Sequence, residues 1–198
     1  MASRVELERE AREHLETTAK LATALVEGDF PGEVAGAAQL LRESLVRGGK
    51  VLFCGNGGSA ADAQHLAAEL VGRIDAAREG HPLAGIALTT DTSILTAVAN
   101  DFGYQEVFAR QVRALGRTGD ALVCLSTSGH SDNVIEAARV ASSIGIPVVS
   151  LVGPGPSPLE EFSEVCLHLP GETSGQIQQG HIAVGHALCA LVDSARPA

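Results

Sequence analysis

The chain reads as an α/β protein: a three-layer sandwich with a five-stranded parallel sheet between helices, preceded by two N-terminal helices. Three observations lead there. Short β-branched and aliphatic runs alternate with longer helical stretches from residue 50 onward, the pattern of repeated βα units. Hydrophobic residues make up 45% of the chain but aromatics only 3%, and glycine and alanine are plentiful, which suits the small, branched core of a parallel sheet covered on both faces. The segment 51–69, VLFCGNGGSAADAQHLAAE, passes from a strand-like run through a glycine-rich turn into an alanine-rich helix.

In chain order, residues 3–27 are charged and helical, with Leu7, Leu15, Leu21 and Leu25 as an apolar stripe. A second helix covers 32–47 and stops at Gly48-Gly49. Strands are expected at 50–54, 85–89, 121–126, 147–151 and 165–169, with helices at 58–73, 92–100, 105–115 and 131–144 between them. The last helix, 174–195, is apolar on most sides, which implies burial against the sheet or a partner subunit. Gly153 to Pro158 (GPGPSP) form a loop rather than a linker. With 198 residues and no composition break or internal repeat, residues 1–198 make a single domain.

Charge excludes several functions. Fourteen basic against 24 acidic residues give −10, a surface that disfavours nucleic acid and anionic membranes. A phosphate site here must therefore rely on local dipoles. No apolar stretch approaches the ~20 residues of a membrane span. The N-terminus, MASRVELERE, lacks a signal-peptide core, so the protein is expected in the cytoplasm. Cys54, Cys124, Cys166 and Cys189 are widely spaced without CxxC pairs, and read as buried free thiols.

Two glycine- and hydroxyl-rich turns follow strands and enter helices, where free backbone N–H groups can face an anion at the carboxyl edge of a parallel sheet. The first, Gly55–Ser59, fits neither a Walker loop nor GxGxxG, and such a turn often serves only as a tight connection. The second, Ser126-Thr127-Ser128-Gly129-His130-Ser131, offers four hydroxyls that donate without adding positive charge. Ser131 also suits a plain helix cap, but one cap does not need four hydroxyls. His65 and Glu69, at i and i+4, share one helix face as an acid/base or metal pair. The competing reading is a core histidine and a solvated glutamate paired with Arg73. Gln176, Gln178, Gln179, His181 and His186 on the last helix need polar partners, in the site or across an interface. Asn100-Asp101, after the apolar run 94–99, supply acceptors for sugar hydroxyls.

Taken together, CGNGGSAADAQHLAAEL at 54–70, ANDFG at 99–103, STSG at 126–129 with Ser131, and IQQGHIAVGH at 177–186 resemble the sugar isomerase (SIS) domain. More narrowly, they resemble the sedoheptulose-7-phosphate isomerase (phosphoheptose isomerase) family, over nearly the whole chain. The resemblance implies a flavodoxin-like SIS fold and a homotetramer built with the helices of residues 1–48, its sites lying between subunits. Asn56, Gly57, Gly58, Glu69, Asn100, Asp101, Ser126, Thr127, Ser128, Ser131 and Gln178 would hold the sugar phosphate. His65, Glu69, Gln178 and His186 match the family's zinc positions, one ion per subunit. Glu69 and His186 match its base and acid.

The implied reaction converts sedoheptulose 7-phosphate to D-glycero-D-manno-heptose 7-phosphate, a precursor for heptose-containing glycans. A base takes a proton from C1 and returns it to C2 through an enediol(ate), and an acid serves the oxygens; partly desolvated carboxylates and imidazoles exchange protons near neutral pH. Bound zinc would polarise the carbonyl. Gln178 and His186 stand eight residues apart, roughly 12 Å along a continuous helix at ~1.5 Å per residue. Either the helix starts irregularly or one ligand arrives from another subunit; the second is favoured. Four features depart from the pattern the resemblance implies: Gln176 and Gln179 replace an arginine and a glutamate, His130 replaces an asparagine, and the turn at 153–158 is rich in proline. Competing functions are a non-catalytic SIS protein that binds a partner such as a replication initiator, a sugar-phosphate-sensing regulatory module, and an isomerase of another phosphosugar. Retention of Glu69 and His186 argues against the first, and the lack of room for a DNA-binding domain argues against the second.

Overall fold

The computed structural model describes residues 2–72 and 82–194. The expected Glu69–Arg73 pairing and the expected helix ends at 73 and 195 fall outside the described residues. Helix α1 (Arg4–Ala24) opens with a capping box, in which Ser3 Oγ accepts from the Glu6 N–H at 3.3 Å and the Glu6 carboxylate accepts from the Ser3 N–H at 2.6 Å. Of its side chains only Leu21 is buried. Helix α2 (Phe30–Val46) begins two residues before the expected start, because Pro31 fits a first helical turn. It buries Val34, Ala37, Ala38 and Leu41 at helical spacing.

Five strands, β1 (Val51–Gly55), β2 (Gly85–Ala87), β3 (Ala121–Ser126), β4 (Val148–Val152) and β5 (Val165–His168), form one sheet in the order β2-β1-β3-β4-β5, every pair parallel. Strand β2 ends at Ala87 rather than 89, because Thr89 turns away to accept the Gln64 side-chain amide. Period-2 alternation splits each strand between two cores. Val51, Phe53, Val123, Leu125, Val149 and Leu151 face α2, α3 (Gly58–Val71) and α7 (Ser174–Ser194). Leu52, Cys54, Leu122, Cys124, Val148 and Val152 face α4 (Thr92–Phe102), α5 (Ala109–Leu115) and α6 (Asp132–Ser143). Instead of one helix over 105–115, a 3-10 turn at Tyr104–Glu106 precedes α5. Helix α7 buries Ile177, Val184, Leu188 and Val192 on one face, while His186 and Leu191 are exposed on the other.

All four cysteines are free. Cys54 and Cys124 are register partners on β1 and β3 with Sγ atoms 3.7 Å apart in the core. Burial pushes the Cys124 thiol well above its ordinary value and Cys189 up to about 12, so these thiols are packing groups. Among the described residues no helix is long and apolar enough to cross a membrane.

At the amino ends of β1 and β3, the Asp120 carboxylate accepts from the Lys50 ammonium at 2.5 Å, the Lys50 N–H at 3.0 Å and the Arg117 N–H at 2.8 Å. Burial alone would raise this carboxyl, but Lys50 and the two backbone donors outweigh it and hold its pKa below the ordinary value. A depressed folded-state pKa adds stability that is complete above the unfolded-state value and is lost as pH falls through the folded one. Asp120→Asn should therefore lower unfolding free energy by about 2 kcal/mol at pH 7. In urea titrations the variant should also lose less stability than the parent between pH 6 and pH 3.

Candidate active site

Within this sheet the chain runs from β1 outward to β2, then crosses back to β3 on the other side of β1. That reversal leaves a crevice at the carboxyl ends of β1 and β3, where ligands bind in open parallel sheets. The register pairs Gly55 with Leu125, so the turn after β1 and the turn after β3 leave the sheet side by side. Gly55 is required there: a Cβ would sit 2.9 Å from the Leu125 carbonyl oxygen and 2.8 Å from the Ser59 carbonyl oxygen. Gly57 caps α3 with φ 55° and no side-chain bond, which leaves the first amides of the helix without a side-chain cap.

The second turn shows the same restraint. Ser131 stands at the N-cap of α6 but makes no capping bond; its Oγ instead accepts from Ser126 Oγ at 3.2 Å. The simple cap reading is thereby excluded, and the hydroxyls stay grouped at the mouth of the crevice. His130 donates its N–H to Ser128 Oγ at 3.2 Å, and its ring Nδ1 lies 2.5 Å from the Ser128 carbonyl oxygen. Ser157, from the proline-rich loop, braces the turn by donating to the Gly129 carbonyl at 2.8 Å. The departure at 153–158 thus supports the hydroxyl loop. No Lys or Arg belongs to either turn.

Helices α3 and α7 bring the acid/base candidates together. Gly185 lies against Leu66, where a Cβ would come within 2.6 Å of a leucine methyl, and this close approach sets His186 beside His65. Their Nε2 atoms are 2.8 Å apart, and Glu69 Oε1 is 3.3 Å from His65 Nε2. The rings meet edge to face with centroids 5.0 Å apart. Two imidazole nitrogens at that distance need one proton or one cation between them. The three ligand atoms of His65, Glu69 and His186 lie within 4.8 Å of one another. Ligand atoms on a tetrahedral zinc ion are separated by about 3.4 Å, given ~2.05 Å bonds. Two imidazole nitrogens and a carboxylate oxygen are a donor set that suits a zinc ion, and side-chain rotation would bring the three atoms to that spacing.

Helix α7 is regular from Ser174, so the alternative of an irregular start near Gln178 does not hold. Gln178 lies two turns before His186, against Gly58, where a Cβ would come within 2.1 Å of its amide. Gln178 also hydrogen-bonds Asp62, a residue the sequence did not flag. Burial raises the Asp62 carboxyl, opposed by the Gln178 bond and by His65 and His186. Gln176 forms a capping box with Thr173: Thr173 Oγ1 accepts the Gln176 N–H at 3.3 Å, and Gln176 Oε1 accepts the Thr173 N–H at 3.3 Å. Gln179 turns to α1, accepting from Thr18 Oγ1 at 2.9 Å. His181 is fully buried against the sheet, where burial pulls its pKa down to about 4 and keeps it neutral.

Asn100 and Asp101 lie inside the last turn of α4 rather than beyond it, joined by an Asn100 Nδ2–Asp101 Oδ1 bond of 2.8 Å. This segment reaches the crevice through Tyr104, whose hydroxyl donates to Asn56 Oδ1 at 3.0 Å. Asn133 on α6 pairs with Asn56 through two bonds of 2.8 Å. Sequence reasoning missed Asp62, Tyr104 and Asn133, which are ordinary polar residues until their distant partners are known.

The chain is similar to known proteins over most of its length. The SIS domain profile matches residues 12–153. The phosphoheptose isomerase of Rhodospirillum rubrum is 55% identical over 168 residues, covering 85% of this chain and 88% of its own. The phosphoheptose isomerase structure from Neisseria gonorrhoeae superposes with a TM-score of 0.82 at 42% identity, covering 96% of this chain and 97% of that one. That from Francisella tularensis gives 0.84 at 34% identity, covering 98% and 100%. The chain belongs to the SIS-domain family, among its phosphoheptose isomerases, and is a phosphosugar isomerase.

Proposed function

We propose that the protein interconverts sedoheptulose 7-phosphate and D-glycero-D-manno-heptose 7-phosphate by proton transfer between C1 and C2. The juxtaposition of Glu69 and His186 beside a cation-free phosphate cradle carries this reading. The amides after Gly57 and the hydroxyls of Ser126, Thr127, Ser128 and Ser131 hold the phosphate dianion. Asn56, Asn100, Asp101 and Gln178 contact the sugar. Glu69 takes the C1 proton and returns it to C2, while His186 moves a proton between the O1 and O2 oxygens, so that the enediol(ate) forms and collapses without net loss of atoms.

His65, Glu69 and His186 fit a zinc ion, which when bound polarises the substrate carbonyl and lowers the energy of the enediolate oxygen. Gln178 completes the expected ligand set. Because α7 is regular, one of these ligands arrives from a neighbouring subunit, and assembly becomes a condition of full activity. Helix α1 suits the self-association that a homotetramer needs: Val5, Leu7 and Leu15 are 77%, 55% and 67% exposed on it, apolar surface that the described residues leave uncovered. The −10 charge disfavours a nucleic-acid partner, and a sugar-phosphate substrate suits a cytoplasmic setting.

The decisive experiment follows sedoheptulose 7-phosphate by NMR in D2O with purified, metal-loaded protein. Aldoheptose 7-phosphate is expected, with deuterium at C2 to the extent that the proton held on Glu69 exchanges with solvent before its return; no turnover in the assembled protein overturns the reading in favour of another phosphosugar. Glu69→Gln should lower kcat by about 10³-fold, the scale of a lost general base. His65→Ala and His186→Ala should each lower zinc content, read by elemental analysis, and chelation should reduce turnover in the parent. Gly58→Ala, at a helix start that tolerates alanine, should displace the Gln178 amide and reduce kcat/KM by about tenfold with little change in melting temperature.

A further inference from the structure

Three site segments meet at one side chain. Asn56 follows β1, Asn133 lies in the first turn of α6 after the hydroxyl loop, and Tyr104 follows the Asn100-Asp101 turn of α4. The two carboxamides form a closed pair, Asn56 Nδ2 donating to Asn133 Oδ1 and Asn133 Nδ2 donating to Asn56 Oδ1, each at 2.8 Å. The Tyr104 hydroxyl then donates to the same Asn56 Oδ1 at 3.0 Å. A carboxamide oxygen has two lone pairs and its nitrogen two protons. Both acceptor positions of Asn56 are thus occupied by protein, and one of its two N–H groups is as well.

We propose that Tyr104 and Asn133 are positioning residues that lock the Asn56 carboxamide so that it offers the substrate a single N–H donor. The proposal rests on the phosphosugar site described above and deepens it. With its acceptors filled, Asn56 recognises only a lone-pair-bearing oxygen of the sugar phosphate, and it rejects a group that must donate there. A packing role does not account for Tyr104, which is 58% exposed and whose hydroxyl points back to the crevice. Asn133 is 3% exposed, and its pairing with Asn56 satisfies a buried amide while joining the turns after β1 and β3. Tyr104 brings the sugar-facing end of α4 to the same point, so one hydrogen-bonded knot sets the spacing between the phosphate cradle and the sugar contacts.

The test is a double-mutant cycle with a readout that needs no turnover. With sedoheptulose 7-phosphate, Tyr104→Phe should raise KM about fivefold with kcat within about twofold, the loss expected for one hydrogen bond that holds a binding group. In an Asn56→Ala background the same change should have no further effect. In the substrate-free protein, NMR should show faster solvent exchange of the Asn56 side-chain amide protons in Tyr104→Phe and in Asn133→Ala. Unchanged exchange in Tyr104→Phe, or a KM effect that persists undiminished in Asn56→Ala, overturns the proposal. If the parent protein fails to turn over sedoheptulose 7-phosphate, the substrate assignment fails, and amide exchange in the exposed Tyr104→Phe variant still decides the positioning role.

Discussion

The parallel pairing of β1 with β3, in register from Val51–Ala121 to Gly55–Leu125, is the constraint on which the site depends. It is the place where the sheet reverses its direction of growth, so no helix crosses over its carboxyl end and two turns emerge there together. Each element of the crevice answers to that seam. Gly55 lets the first turn pass against the carbonyl of Leu125, and the Asn56–Asn133 pair ties the two turns above the last register pair. At the opposite end, Asp120 ties the same two strands to Lys50. The seam is therefore held at both ends, and the cradle inherits the rigidity of the sheet.

A second constraint is the close packing of α3 beside α7. Small residues allow it: Gly58 faces Gln178 and Gly185 faces Leu66. The consequence is chemical. Two imidazoles from segments 121 residues apart are brought to 2.8 Å, and a carboxylate one turn further on α3 completes the group. The same packing buries Asp62 and His181, whose pKa values move in opposite directions for one reason: burial disfavours charge on either. His181 is thereby kept neutral in the core, while His186 is exposed on the same helix.

The acidic surface also has a place in this design. A protein carrying −10 attracts no polyanion at long range, and the turns after β1 and β3 present amides and hydroxyls rather than cations. The positions that depart from the family pattern carry local structural work. Gln176 caps α7, Gln179 ties α7 to α1 through Thr18, and Ser157 of the proline-rich loop steadies the hydroxyl turn.

Local patterns in the sequence determined the fold class, all five strands within a few residues, the two anion turns, and the His65–Glu69 pair. Each of these rests on contacts between near neighbours in the chain: period-2 and period-3.6 burial, a glycine turn, residues at i and i+4 on one helix. What the sequence left open involved partners far apart. Whether Ser131 capped α6, where Gln178 pointed, and what Tyr104 and Asn133 pair with depended on pairings across 5 to 116 residues. The helix boundaries at Phe30 and Ala109 were settled by proline tolerance and by a 3-10 turn that periodicity does not register. Tertiary structure decided these points because a polar side chain has many possible partners in sequence and only the one that packing brings within 3 Å in space.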